Sequence, residues 1–265
     1  MAARRFQSIL AQRFTQRGNA NDGRRPEIVI AEEPLEIRLN EQLAATTMRT
    51  PGHDFELAVG WCWAEGLLKE KPSDIRYCAT GSAVETEFNT VTVQSASANE
   101  VTPRLATVSS SCGICGAEQI ENLTKRLSPL QPTVEWNPNL VLPVIENVRA
   151  HQELFEKTGG VHAAAAFTST GEIVVTREDI GRHNAVDKVV GHLLLQDAMQ
   201  AGLGLFVSGR TSFEIVQKAW AAGFEFIVAV SAPSSLAVET AEAANISLAG
   251  FVRDDSFNLY VKGSR

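Results

Sequence analysis

The residues best suited to chemistry sit in one short run, Ser109-Ser110-Ser111-Cys112-Gly113-Ile114-Cys115-Gly116. Two thiols three positions apart stand among Ser and Gly, without the apolar neighbours that enclose inert cysteines. Behind them Ala117, Ile120, Leu123 and Leu127 recur at helical spacing. The run therefore leads onto a helix N-terminus, whose unpaired N–H groups favour a thiolate and lower its pKa. Three chemistries use such a pair. It can supply half of a four-cysteine zinc site, cycle between dithiol and disulfide, or carry an extra sulfur on one Cys as a persulfide. A zinc site would need Cys62 or Cys78 as well, and Cys62 reads as a packed residue between Trp61 and Trp63.

A second group of residues suits anion binding. Val207-Ser208-Gly209-Arg210-Thr211-Ser212-Phe213 matches Val230-Ser231-Ala232-Pro233-Ser234-Ser235-Leu236, each reading as strand, Ser-rich turn and helix start. In parallel sheets such turns share the edge where ligands bind. Hydroxyls, free helix N–H groups and the charge of Arg210 would cradle a phosphate; plain N-capping is the alternative for each turn. A polar run, Arg177-Glu178-Asp179-Ile180-Gly181-Arg182-His183-Asn184 with Asp187 and Lys188 behind it, opens another helix. Pairs of His183 with Asp179 and Asp187 at i,i+4 would explain part of it, while His183 and Asn184 at the helix start are also placed to face a ligand. His162, after Gly159-Gly160-Val161, supports both a packing and a ligand reading. His151 and His192 read as structural helix-surface residues, and neither His162 nor His183 has the spacing of a local metal pair.

The elements that must position these groups follow from periodicity. Alternation over Glu27–Leu39 and the stretches Thr46–Thr50, Ile75–Cys78, Val84–Val93 and Arg104–Val108 read as strands. Leu57, Ala58, Trp61, Ala64, Leu67 and Leu68 line one helix face after the turn Thr50-Pro51-Gly52-His53-Asp54. Pro129, Pro132, Pro138 and Pro143 mark a linker, followed by a helix over Glu146–Glu156. Beyond Gly159 the pattern alternates: a hairpin over Ala163–Thr176, helix His183–Ala198, strand Leu203–Ser208, helix Phe213–Ala222, strand Phe226–Ser231, helix Leu236–Ala244 and strand Leu248–Arg253. This is an α/β chain: a flexible basic tail over 1–25, a strand-rich N-terminal domain over 26–140 that ends in the CxxC loop and its helix, and an α/β domain over 141–265 with helices covering a mixed or parallel sheet.

The 265 residues carry a formal charge of −7 and 44% hydrophobic residues, a globular balance that disfavours general nucleic-acid binding. Four cysteines do not make a disulfide scaffold, so the chain reads as intracellular, and no apolar run approaches the length of a membrane span. Arg4, Arg5, Arg13, Arg17, Arg24 and Arg25, with Asp22 the sole acid before residue 26, lack the apolar core of a secretory signal; the alternative to a plain tail is an organelle transit peptide. Cytoplasm is the expected location. The oligomeric state stays open, a homodimer included.

Taken jointly, several blocks resemble the formate dehydrogenase accessory sulfurtransferase (FdhD) family. They are Arg49-Thr50-Pro51-Gly52-His53-Asp54-Phe55-Glu56-Leu57-Ala58, Ser110–Gly116, Gly159–Ala164, Arg177–Lys188, Val207–Ser212 and Ser231–Ser235. The resemblance implies a protein that takes sulfur from a cysteine desulfurase and passes it to the molybdenum bis(molybdopterin guanine dinucleotide) cofactor required by formate dehydrogenase. It implies Cys112 as the persulfide carrier and Cys115 as its helper, with no catalytic metal. The family's cofactor-contact segment falls on Phe251-Val252-Arg253-Asp254-Asp255-Ser256, with Ser256 where a basic residue is expected. Ser208, Arg210, Thr211, Ser212, Ser231, Ser234 and Ser235, with His162, Arg182 and His183, would receive the guanine nucleotide portion. The family's C-terminal half is similar to the cytidine deaminase fold, a three-layer α/β arrangement. Here the deaminase's catalytic Glu and later zinc cysteines are absent, His183-Asn184-Ala185 and Ser208–Ser212 standing in their places.

Overall fold

A computed structural model describes residues 5–14, 24–78, 88–101, 116–253 and 255–265. Cys112, Cys115, Asp254 and the strand expected over Arg104–Val108 lie outside the described residues.

The described chain opens with strands β1 (Phe6–Gln12) and β2 (Arg24–Ile30), paired antiparallel from Phe6↔Ile30 to Gln12↔Arg24. Within 1–25, where the sequence reads as a flexible tail, residues 6–12 and 24–25 are strand. Phe6, Ser8 and Leu10 alternate with Gln7 and Ile9, and they lie opposite Ile30, Ile28 and Pro26, a face that is apolar except at Ser8. Next come β3 (Glu33–Leu39), β4 (Gln42–Arg49), helix α1 (Asp54–Ala64), β5 (Asp74–Tyr77) and β6 (Thr90–Gln94). These four strands form one sheet in the order β4-β3-β6-β5.

The remaining elements are α2 (Gly116–Arg126), α3 (Val141–Arg149), α4 (Glu153–Thr158), β7 (His162–Phe167), β8 (Ile173–Asp179), α5 (Arg182–Leu195), β9 (Gly204–Val207), α6 (Phe213–Ala221), β10 (Phe226–Ala229), α7 (Ser235–Ala244), β11 (Ser247–Arg253) and β12 (Ser256–Val261). The helix read over Glu146–Glu156 is two helices, α3 and α4, and α3 begins earlier, taking in Pro143 in its first turn, where proline is tolerated. The six strands make a mixed sheet in the order β12-β11-β10-β9-β7-β8, in which β9, β10 and β11 run parallel.

Alternation on β7 divides the core. Ala164 and Ala166 pack with Val186, Val189 and Val190 of α5 and with Ile215, Ala219 and Ala241 of α6 and α7. Ala163, Ala165 and Phe167 face the opposite side, against Val141, Val144 and Val148 of α3. The sheet is thus covered on both faces, giving three layers. The strand-rich part has its own core, in which Leu57, Ala58 and Cys62 of α1 cover Leu35, Ile37, Val91 and Val93. Helix α1 also packs on α5 and joins the two sheets; Trp63 Nε1 donates to the Ala221 carbonyl at 2.8 Å. Among the described residues no helix is long and apolar enough to cross a membrane.

Candidate functional site

Because β9 and β10 are parallel, both Ser-rich turns leave the sheet at the same edge. Thr211 bridges to Pro233, and the Ser234 N–H donates to the Thr211 carbonyl at 3.0 Å. Phe251 and Val252 continue the row, donating to the carbonyls of Ser231 and Val230 at 3.2 and 3.1 Å. On the other flank, β7 runs antiparallel to β9 and begins here with His162. A Cβ on Gly209 would lie 3.2 Å from His162 Nδ1 and 3.5 Å from Arg182 Cδ, so the absence of a side chain lets these groups close over the turn. Ser208 Oγ accepts from the Ala163 N–H at 2.9 Å, and His183 Nε2 lies 3.0 Å from Ser212 Oγ. One edge therefore gathers His162, Arg182, His183, Ser208, Arg210, Thr211, Ser212, Ser231, Ser234, Ser235, Phe251 and Val252. Arg253, Asp255 and Ser256 extend it along the exposed tip of the β11–β12 hairpin, where the Arg253 guanidinium sits 4.2 Å from the Phe251 ring centroid. Ser256 Oγ donates to the Arg253 carbonyl at 2.9 Å.

The two matched turns are not chemically equal. Ser234 caps α7, its Oγ accepting from the Ala237 N–H at 3.2 Å. Ser212 occupies the same position before α6 and makes no cap bond, because its hydroxyl is engaged by His183 and Glu214. Helix α5 also starts without a side-chain cap, after Gly181. Two helix N-termini thus meet the edge with N–H groups unclaimed by side-chain caps, an environment that favours an anion. Thr211 Oγ1 and Arg182 Nε are buried there and have no hydrogen-bond partner among the described residues. Buried polar atoms without partners are costly, and a bound oxyanion would satisfy both.

Electrostatics separate the two histidines. Burial first, then the neighbouring charges of Arg182 and His183, lower the pKa of His162 and so favour its neutral form. The hydrogen bond from His183 holds the Glu214 carboxyl below its ordinary value. Glu214 Oε2 lies 2.9 Å from His183 Nε2. Sequence reasoning passed over Glu214, since an acid in a first helical turn reads simply as a complement to the helix dipole.

The polar run at the start of α5 is largely a brace. Asp179 does not pair with His183; it accepts from the N–H groups of Thr50 and Gly181 at 3.1 and 2.8 Å and from Asn184 Nδ2 at 3.0 Å. It also pairs with Lys188 at 2.7 Å, both side chains fully buried. Asp187 likewise turns to Lys218, at 2.8 Å, and burial pushes its pKa up to about 6. Asn184 Nδ2 reaches the Met48 carbonyl at 2.7 Å, and Lys188 Nζ the Thr50 carbonyl at 2.9 Å. Arg49, fully buried, grips both oxygens of Asp54 at 3.1 and 3.2 Å and fixes the turn between them. The strand-rich layer therefore holds the start of α5, and with it Arg182 and His183, in place.

His192 is half-buried, and Nδ1 lies 2.9 Å from both Glu56 Oε1 and Arg177 Nη2, consistent with a structural role. Burial works to raise the Glu56 carboxyl, but hydrogen bonds from Arg177, His53 and His192 outweigh it and hold the carboxyl well below the usual carboxylate range. Both Cys62 and Cys78 are buried, and burial pushes the Cys62 thiol up.

The model of the FdhD/NarQ family matches residues 30–265. A sulfur carrier protein FdhD from Corynebacterium efficiens is 45% identical over 250 residues, covering 89% of this chain and 90% of the relative. One of the same name from Streptomyces coelicolor is 45% identical over 253 residues, covering 91% and 89%. Among solved structures, one described as a formate dehydrogenase accessory protein, from Desulfotalea psychrophila, superposes with a TM-score of 0.71 at 24% identity, over 96% of this chain and 95% of the other, a likeness of fold. With the family model spanning nearly all of the folded residues and relatives this similar, the chain belongs to the FdhD/NarQ family.

Proposed function

We propose that this chain is a sulfur carrier in the maturation of formate dehydrogenase. In this reading the Cys112 thiolate attacks the sulfane sulfur of a persulfide on a cysteine desulfurase. The donor's S–S bond breaks, its thiolate leaves, and Cys112 holds the sulfur as its own persulfide. The recipient is the molybdenum bis(molybdopterin guanine dinucleotide) cofactor, bound as substrate. Attack of Cys115 on Cys112 Sγ would release the outer sulfur as sulfide and leave a disulfide, which an external thiol must reduce before the next cycle.

The observation that carries the reading is the pair of thiols leading directly into α2 at Gly116, in a chain whose relatives bear the name sulfur carrier protein. The position of α2 adds support. Arg126 donates to the carbonyls of Ala64 and Glu65, and the Leu130 N–H donates to the Ala244 carbonyl at 2.9 Å, so the C-terminal ends of α2 and α7 lie together. The helices pack on each other, and α7 begins at the Ser234 turn, so a course of α2 alongside α7 would bring the CxxC run toward the same edge. The edge residues suit the cofactor's phosphates: Arg182 and His183, with the uncapped starts of α5 and α6 and the unpartnered Thr211 hydroxyl, supply donors. Cys112→Ala should abolish activation of a formate dehydrogenase while guanine nucleotide binding is retained; retained activation would sink the carrier role, and loss of both would assign Cys112 a structural one.

A further inference from the structure

We propose that Glu214 is a positioning residue that makes anion binding at this edge proton-coupled: it holds His183 through Nε2, and the other ring nitrogen donates to a phosphate oxygen of the ligand. This rests on the nucleotide-binding reading of the edge and goes beyond it by assigning the residue and the proton.

The argument is one of donors and acceptors. His183 Nε2 is 2.9 Å from Glu214 Oε2 and 3.0 Å from Ser212 Oγ, and Ser212 Oγ itself donates to Glu214 Oε2 at 3.4 Å. Glu214 is held in its ionised form by that histidine, so it accepts, and Nε2 must carry a hydrogen. Nδ1 has no hydrogen-bond partner among the described residues, and it belongs to a ring at the uncapped start of α5 beside Arg182. A neutral ring with its hydrogen on Nε2 would turn a lone pair from Nδ1 toward an incoming oxyanion. With carboxylate on one side and phosphate on the other, both nitrogens must donate, which only the imidazolium does. Binding then draws one proton from solvent.

The surroundings bear on that proton from every side. On its own helix His183 has Arg182 before it and Asp187 behind, and His162 faces it from β7 with Asp179 at the end of β8. From α6 come Glu214 and, behind it, Lys218, while Arg210 lies on the turn between. Arg182 opposes the second charge on the ring, and Glu214 is the acid in direct contact that offsets it. The neutral form is favoured at His162, which sets it apart from His183 in this role.

The test is calorimetry of the full chain with GDP-mannose, a guanine nucleotide whose phosphates are both diesters and do not titrate near neutrality. Titrations from pH 6 to 8.5, in buffers of differing ionisation enthalpy, count the protons taken up. The wild type should take up close to one proton at the alkaline end, with affinity falling by up to about tenfold per pH unit there, the limit for one linked proton. Glu214→Gln should weaken binding by about tenfold or more at pH 8 and much less at pH 6; Glu214→Asp should restore most of it. His183→Gln should abolish the linkage. Binding with no linked proton, or a Glu214→Gln defect equal at pH 6 and 8, overturns the proposal and leaves the nucleotide site standing. No binding by the wild type overturns the nucleotide site and the proposal together.

Discussion

Gly60 and Gly191 are in backbone contact where α1 crosses α5. A Cβ on Gly60 would lie 1.9 Å from the Asp187 carbonyl oxygen and 2.8 Å from the Gly191 nitrogen, and a Cβ on Gly191 would lie 1.9 Å from the Glu56 carbonyl oxygen. No side chain fits this crossing, so the helices would have to separate, and with them the strand-rich layer from the start of α5. Gly60→Ala or Gly191→Ala should each cost at least about 2 kcal/mol, read as a lowered urea midpoint. A midpoint within error of the wild type would show that the crossing is not close-packed.

The two matched serines should separate in experiment. Ser234→Ala removes the cap of α7 and should cost about 1 kcal/mol. Ser212→Ala removes no cap bond, so its effect should appear in guanine nucleotide affinity with little change in melting temperature. Equal losses of stability in both variants would contradict the distinction.

Asp187 and Lys218 form a pair beneath the site, with side chains 1% and 7% exposed. Asp187→Ala leaves a buried ammonium unmatched and should cost about 3–5 kcal/mol. Replacing both residues by apolar side chains should recover much of that loss, which denaturation of the single and double variants will show.

Acid should weaken the fold in two steps. His162 has a lowered pKa, so below the ordinary imidazole value of about 6.5 the unfolded chain binds more protons and stability falls with falling pH. Glu56 is depressed, so its contribution is complete above about 4.3 and is lost as pH falls through its lower folded value. Asp187, raised to about 6, has the opposite sign between its ordinary value and that point. His162→Gln should flatten the first limb and Glu56→Gln the second in melting temperature measured against pH.

Much of the architecture was legible because it is local. The hairpin after His162, helix α5 and the repeated strand–turn–helix units announce themselves by period and by turn residues, and they carry most of the edge at the two Ser-rich turns. What sequence could not give are pairings set by the fold. Asp179 and Thr50 are 129 positions apart, yet they hold the start of α5 to the other sheet. The partners expected for His183, Asp179 and Asp187, pair with Lys188 and Lys218 instead, and its partner, Glu214, comes from the next helix. β1 itself holds no arginine, but the arginines flanking it give residues 1–25 a basic composition that outweighs its short, weak alternation. Ser212 and Ser234 look identical in sequence, and only the hydrogen bonds show that one caps a helix while the other is engaged by His183 and Glu214.

The central claim is tested most directly by peptide mass spectrometry after incubation with a cysteine desulfurase and cysteine under non-reducing conditions, with zinc measured in parallel. The account predicts one additional sulfur on the Cys112 peptide, none on the buried Cys62, and no stoichiometric zinc. Unmodified Cys112 together with tightly held zinc would contradict it and make the CxxC run a metal site.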